Sequence, residues 1–293
     1  MLGALVLVQV LFGIHYSVVK ELLATMSPPA WATLRVAAAA VLLVILARGR
    51  GRLLPRGPRE WAFAIALAFF GVILNQICFV EGLARTLPAH SALIATTIPL
   101  WTLVFAVLRK TEQPTLRRGL ALLLGLAGVW VLLEIDRFHL DSELLVGDLL
   151  NLLNSASYGL FLVLSQGYAS THGALTATAR IFSIGAVGIA FYGLGDLVTT
   201  DFGALPASTW WQAAYAVLGA TIATYGLNLW LTSRASSSLV ALFIYLQPVI
   251  ATLVDGLVLG RWPSWRFPVA AVLVAAGVAL GVSRSKEPAA KGD

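Results

Sequence analysis

Charge is scarce in this chain. Asp, Glu, Lys and Arg make up 12% of its 293 residues against 59% hydrophobic, and the mean hydropathy is +0.85. A water-soluble domain has too little interior to hide so much apolar surface, so lipid is the expected solvent. Cysteine is nearly absent: Cys78 stands alone, which excludes an internal disulfide and a thiolate cluster for a metal. Histidine is thin too, with His15, His90, His139 and His172 scattered and no His-Glu-x-x-His motif. The Gly-x-x-x-x-Gly-Lys loop that cradles nucleotide phosphates is missing, so ATP is not a direct power source and no cofactor or metal is expected. An intramembrane enzyme needs a converging nucleophile and base or a metal cluster, so catalysis is not expected here. The net charge of +6 is spread over short connections rather than one soluble face, which argues against nucleic acid.

What is present is a succession of apolar stretches: 2–19, 28–47, 61–80, 88–108, 115–134, 147–168, 174–196, 208–231, 235–259 and 265–283. Each approaches the roughly 20 residues a helix needs to cross a hydrocarbon core of about 30 Å. The first is read as a retained span, because a basic start and a small-residue processing site are not evident. Basic residues gather in alternate connections: Arg48, Arg50, Arg52, Arg56 and Arg59, then Arg109, Lys110, Arg117 and Arg118, then Arg284, Lys286 and Lys291. The connection between spans five and six is acidic, with Glu134, Asp136, Asp141, Glu143 and Asp148. The positive-inside rule then puts both termini in the cytoplasm. Minimal loops suit a multi-pass protein of a bacterial inner (plasma) membrane. Trp31, Trp61, Trp210, Trp211, Trp230, Trp262 and Trp265 fall near span ends, where an amphipathic ring favours the headgroup level, whereas Trp101 lies mid-span.

A pattern occurs twice. Pro99 is followed by Pro114, Arg117 and Gly128 at +15, +18 and +29, and Pro248 by Pro263, Arg266 and Gly277 at the same intervals, an offset of 149 residues. Five spans per half is an odd number, so the second half runs inverted through the membrane. The expected fold is all-α, with ten transmembrane helices as two inverted five-helix repeats around a central cavity. The first repeat takes residues 1–135, a linker 136–146, the inverted second repeat 147–283, and a cytoplasmic tail 284–293.

Phe12-Gly13-Ile14-His15-Tyr16-Ser17-Val18-Val19-Lys20 resembles the first-span motif Trp-Gly-x-x-Phe-x-x-x-Lys of the drug/metabolite transporter superfamily, within it the ten-span EamA type. Leu34-Arg35 is similar to that family's Leu-Arg pair in span two, and Ala179-Arg180 occupies the equivalent place in the second half. Pro99 followed by Glu112 matches its Pro…Glu spacing, whereas Arg261 stands where the second Glu would be, and His15 replaces a small polar residue. The resemblance implies helices one to four and six to nine around a cavity, helices five and ten outside, and export of amino acids, amines or other metabolites.

Polar stripes mark the cavity independently. Asn151, Asn154, Ser155 and Tyr158 recur at i, i+3, i+4 and i+7 in span six, and Thr221, Thr224, Tyr225 and Asn228 repeat that spacing in span eight. Span one offers Gln9, Gly13, His15, Tyr16 and Lys20, and span three Asn75, Gln76 and Phe79. Unpaired polar groups are costly in lipid, so these stripes should face protein or water, either tying neighbouring helices or binding a solute. Arg35 and Arg180, about two turns from the outer surface, serve as structural ties or substrate contacts. Trp101, Tyr158, Tyr225 and Tyr245 are candidates for an aromatic box, or plain core packing. His15, Glu81 and Asp255 are candidates for proton coupling, His15 having an ordinary pKa in the physiological range. Pro99 and Pro248 are expected as hinges, each removing a helical hydrogen bond. Gly277 and Gly281 form a GxxxG pair that suits a homodimer face or close packing within a monomer.

The function these residues point to is a secondary-active carrier that exports a small amphipathic metabolite, amino acids first, by alternating access between lipid-embedded halves. Amines, nucleobases and organic anions are alternative solutes, and a channel is a rival class.

Overall fold

A computed structural model describes residues 1–132, 144–259 and 265–282. Most of the expected linker, Arg261 and the tail fall outside the described residues. The described chain is helical, in the order α1 (Leu2–Leu22), α2 (Pro28–Ala47), α3 (Gly57–Ala68), a π segment (Phe69–Ile73), α4 (Leu74–Arg85), α5 (Pro88–Ala95), α6 (Ile98–Leu108) and α7 (Leu116–Leu132), followed after the linker by α8 (Leu145–His172), α9 (Ala174–Thr199), α10 (Ala207–Val217), a second π segment (Leu218–Ala223), α11 (Thr224–Thr232), α12 (Ser237–Leu242), a 3-10 turn (Phe243–Tyr245), α13 (Leu246–Leu259) and α14 (Arg266–Val282). Among the described residues, seven rods are long and apolar enough to cross a membrane: Leu2–Leu22, Pro28–Ala47, Gly57–Arg85, His90–Leu108, Leu145–His172, Ala174–Thr199 and Ala207–Thr232. Helices also fill the other three apolar stretches, α7 and α14 with 17 residues each and the third broken between α12 and α13.

Local chemistry sets the boundaries. Ser27 accepts from the Ala30 N–H while Pro28 and Pro29 occupy the first turn of α2, where a missing N–H costs nothing. Gly173, at φ +78°, reverses the chain between α8 and α9 in a single residue, a conformation that penalises a Cβ. The expected prolyl bends take another form. Pro99 stands in the first turn of α6, after a two-residue turn at Thr96 and Thr97, and Pro248 is the third residue of α13, after the 3-10 turn. Both prolines therefore restart a helix rather than kink one. Thr96 and Thr97 hydroxyls donate to the Leu93 and Ile94 carbonyls that the break exposes.

Three close pairings organise the packing, and each is antiparallel. In α2 and α9, the Thr33 hydroxyl meets the Ile189 carbonyl at 3.4 Å and Pro29 lies against Gly193. In α7 and α14, a Cβ on Gly277 would stand 2.7 Å from the Ala121 carbonyl, and one on Gly128 2.8 Å from that of Ala270. Gly277 and Gly281 thus pack within the subunit, so GxxxG serves helix contact here. In the third pairing, Gly82 meets Gly147 and Asn151, and the Ser157 hydroxyl donates to the Phe70 carbonyl at 2.6 Å, setting α3–α4 against α8.

The largest apolar cluster lies among α2, α3, α4, α8, α9 and α11, with smaller ones around α7, α14 and Tyr245, and around α1, α11 and α12. Outward faces stay apolar: Phe191, Val272, Val187 and Leu123 are 90%, 67%, 63% and 61% exposed. In water such a surface would drive aggregation; against acyl chains it is the appropriate exterior. Trp31, in the first turn of α2, is fully buried in the main cluster, whereas Trp210, Trp211 and Trp265 are exposed.

Candidate functional site

The π segments and helix breaks meet in the middle of the bundle. A π turn widens the helix by a residue and leaves carbonyls without helical partners, which side chains from other helices then take up. The Tyr225 hydroxyl contacts the Gly71 carbonyl at 2.9 Å and Asn75 Oδ1 at 3.0 Å. In the second π segment the Ala220 carbonyl accepts from Arg35 Nη2 at 3.2 Å.

Between these elements lies a cavity of about 60 Å³, lined by Phe12, His15 and Tyr16 of α1, Arg35 of α2, Asn75, Gln76 and Phe79 of α4, Ile98 of α6, Asn154 and Tyr158 of α8, Tyr225 of α11, Ile244 of the 3-10 turn and Gln247 of α13. One side is a continuous polar network. Arg35 donates through Nε to the Thr221 hydroxyl at 2.6 Å and through Nη1 to Gln76 Oε1 at 3.0 Å. Gln76 Nε2 reaches the Tyr225 hydroxyl at 3.5 Å, and Asn154 Nδ2 donates to the Asn75 carbonyl at 2.8 Å. Asn228, behind the wall, donates to the Tyr158 hydroxyl at 2.7 Å, and Gln247 donates to Gln9 Oε1 at 2.8 Å. Aromatic and aliphatic side chains supply the rest of the lining, with His15 among them. The His15 ring stacks on Phe79 at 5.6 Å with an interplanar angle of 13° and meets Phe12 edge-on at 6.4 Å. Among the described residues neither ring nitrogen of His15 has a hydrogen-bond partner, although the residue is buried.

His15, Tyr16, Asn75, Gln76, Phe79, Asn154, Tyr158, Tyr225 and Arg35 therefore converge on one cavity. Others stand apart. Asn151 donates to the Gly147 carbonyl and Ser155 to that of Ile94. Trp101 stacks on Phe105 at 6.0 Å, and Tyr245 packs on Gly125 in the α7–α14 cluster, so the four-ring box does not assemble; only Tyr158 and Tyr225 touch, at 5.9 Å. Glu81 pairs with Arg85 and takes the Tyr192 hydroxyl, outside the cavity lining. The side chain of Asp255 lies outside the described residues.

Arg180 does not join Arg35 at the cavity. It pairs with Glu60, donates to the Arg52 carbonyl, and meets the Tyr168 hydroxyl at 3.0 Å, at the end of the molecule that carries the basic connection. The reason is direction: α9 runs antiparallel to α2, so the same position in sequence falls at the opposite end. Two motif residues serve helix ends. Lys20 donates to the Leu83 and Thr86 carbonyls at 2.7 and 3.0 Å, closing the C-terminus of α4. Glu112 accepts from the Ser237 hydroxyl and the Ser238 N–H at 3.0 and 3.1 Å, capping α12.

Sequence reasoning missed Ile98, Ile244 and Gln247, and quoted Phe12 only as part of a motif. Nothing separates Ile98 or Ile244 from other apolar residues, but Gln247 is an amide inside an apolar span, immediately before Pro248. A larger recess of about 830 Å³ opens at the basic end, lined by Arg117, Arg118, Arg234, Gln166, Ser233 and Leu242 among others. It is wide and open, whereas the central cavity gathers fixed polar groups from both halves of the chain.

The EamA-like transporter family matches residues 1–134 and again residues 145–283. The chain belongs to that family. It is therefore a membrane transporter of the drug/metabolite superfamily. A chloroplastic WAT1-related protein of Arabidopsis thaliana is 33% identical over 136 residues; the match spans 45% of this transporter and only 31% of that relative. One protein of known crystal structure superposes over 96% of this transporter and 97% of its own chain, with a TM-score of 0.74 at 20% identity, a likeness of fold alone.

Proposed function

We propose that this EamA-family transporter is a secondary-active carrier that exports small amphipathic metabolites, amino acids first, through ten membrane crossings arranged as two inverted repeats. The observation that carries the reading is the central cavity, walled by side chains from both halves, with amides and a guanidinium beside Phe12, Phe79, Ile98 and Ile244. A solute with a polar end and an apolar body fits such a wall.

Inversion is supported by internal symmetry. The π segments begin 149 residues apart, the interval of the proline repeat, and Gln76 contacts Tyr225 across the same interval. The second helices of the halves, α2 and α9, pack antiparallel, as do the fifth, α7 and α14. An axis lying in the membrane plane requires both features. The family matches to the two halves also favour a repeat.

A volume of about 60 Å³ holds only a few waters, so the helices around it must part to admit a metabolite. The breaks before Pro99 and Pro248 are where one end can open while the other closes. Arg52, Arg56, Arg117, Arg118 and Arg234 border recesses at one end, which supports a cytoplasmic assignment for it and for both termini. A bacterial inner membrane, a non-enzymatic role and a functional monomer complete the proposal; the GxxxG pair is already used within the subunit.

Radiolabelled counterflow in proteoliposomes with an amino-acid mixture tests it. Saturable exchange that Tyr158→Ala abolishes is expected. A non-saturating flux would make the protein a channel, and no amino-acid exchange from folded protein would sink the substrate reading.

A further inference from the structure

We infer that the polar end of the central cavity is a carboxylate-binding site, with Arg35 as its charge-bearing donor and His15 as a second donor. This deepens, and rests on, the carrier reading of that cavity. The argument begins with charge balance. Arg35 is 2% exposed, and its three hydrogen bonds go to a hydroxyl, an amide oxygen and a backbone carbonyl. All three acceptors are neutral. Among the described residues no carboxylate lies within 4.0 Å of its guanidinium. Arg180, at 4% exposure, is by contrast neutralised by Glu60. A guanidinium carries five N–H groups, so two donors of Arg35 are unspent.

The surrounding amides are neutral, so they position the guanidinium without supplying the missing charge. Gln76 turns its oxygen to Arg35 and its nitrogen to Tyr225, which fixes the guanidinium without neutralising it. An anion entering the cavity would complete a cation held this way with a charge-assisted hydrogen bond. His15 is a second, independent sign. It lines the same cavity at 3% exposure, and neither ring nitrogen has a partner among the described residues. In any protonation state it retains at least one N–H to give. The apolar wall of Phe12, Phe79, Ile98 and Ile244 faces a body without charge.

The selectivity that follows is acid over amine. Asn154 and Gln247 spend their amide nitrogens on Asn75 and Gln9, so their oxygens are available to an ammonium group. A zwitterion is therefore accommodated, whereas an amine lacking a carboxylate meets Arg35 uncompensated.

Three matched probes test this on purified protein in detergent by calorimetric titration: 3-phenylpropanoate, phenylalanine and phenethylamine. The acid and the amino acid are expected to bind, with phenethylamine at least tenfold weaker. Arg35→Gln should cut affinity for 3-phenylpropanoate at least tenfold and erase the preference over the amine. The wild-type series decides even if that variant does not fold. Phenethylamine binding as tightly as 3-phenylpropanoate, or no binding of 3-phenylpropanoate, would overturn the site and leave Arg35 as a helix tie. The two readings fail separately. Amino acids exchanging in counterflow without an acid preference removes the carboxylate site only; acids that bind but never exchange remove the carrier.

Discussion

Tyr158 illustrates how closely the cavity wall is coupled at the residue scale. Its hydroxyl is the acceptor of the Asn228 amide at 2.7 Å, and both residues are buried. Tyr158→Phe leaves that amide without a partner, a loss of about 1–3 kcal/mol that thermal unfolding in detergent reads directly. Asn228→Leu in the same background should recover part of it, because the stranded donor is gone; additive losses would show that the bond does not matter. His15 is the cavity residue whose ordinary pKa lies near neutrality, and Arg35, Tyr16, Tyr158 and Tyr225 are the other ionisable groups lining the space around it. If it carries the coupling proton, His15→Gln weakens transport driven by a pH gradient far more than it weakens counterflow. Gradient-driven transport that survives the substitution would assign the coupling elsewhere.

At the scale of elements, the transporter is held by close helix contacts and interrupted by breaks. Gly277 leaves no room for a methyl group, since a Cβ would stand 2.7 Å from the Ala121 carbonyl and 2.8 Å from the Gly125 nitrogen. Gly277→Ala should cost about 1–3 kcal/mol through forced separation of α7 from α14, seen as a lowered midpoint of thermal unfolding. An unchanged midpoint would mean that the pair has room to slide. Pro99 and Pro248 lie at helix starts, so replacing them threatens the fold little. Pro99→Ala with Pro248→Ala instead allows each helix to extend back through its break. Exchange is expected to slow several-fold with solute affinity retained, and unaltered rates would remove the breaks from the transport cycle. These interruptions were only half legible. A proline in an apolar span announces an irregularity, but whether it kinks a helix or begins one depends on the residues it follows.

The whole molecule is polarised, with arginines around the recesses at one end and Glu21, Asp196 and Asp201 at the other. Cys78 is buried, so a Cys78→Ser background offers a clean test of orientation. In intact cells Asp201→Cys should react with an impermeant maleimide, and Arg56→Cys only after lysis; the reverse would invert the topology. The amino-acid sequence alone determined membrane residence, the positions of the helices, the offset between the halves and most cavity residues. Each of these is written in local composition or period, because lipid forces every apolar stretch into helix and every polar stripe inward. Tertiary structure decided what depends on helix direction and partner. It sent Arg180 to Glu60 at the basic end, turned Tyr245 toward α7, brought Gln247 and Ile244 to the cavity, and left Arg35 without a carboxylate. Antiparallel packing of α2 against α9 carries Arg35 and Arg180 to different ends of the bundle, and no local pattern in the sequence records that.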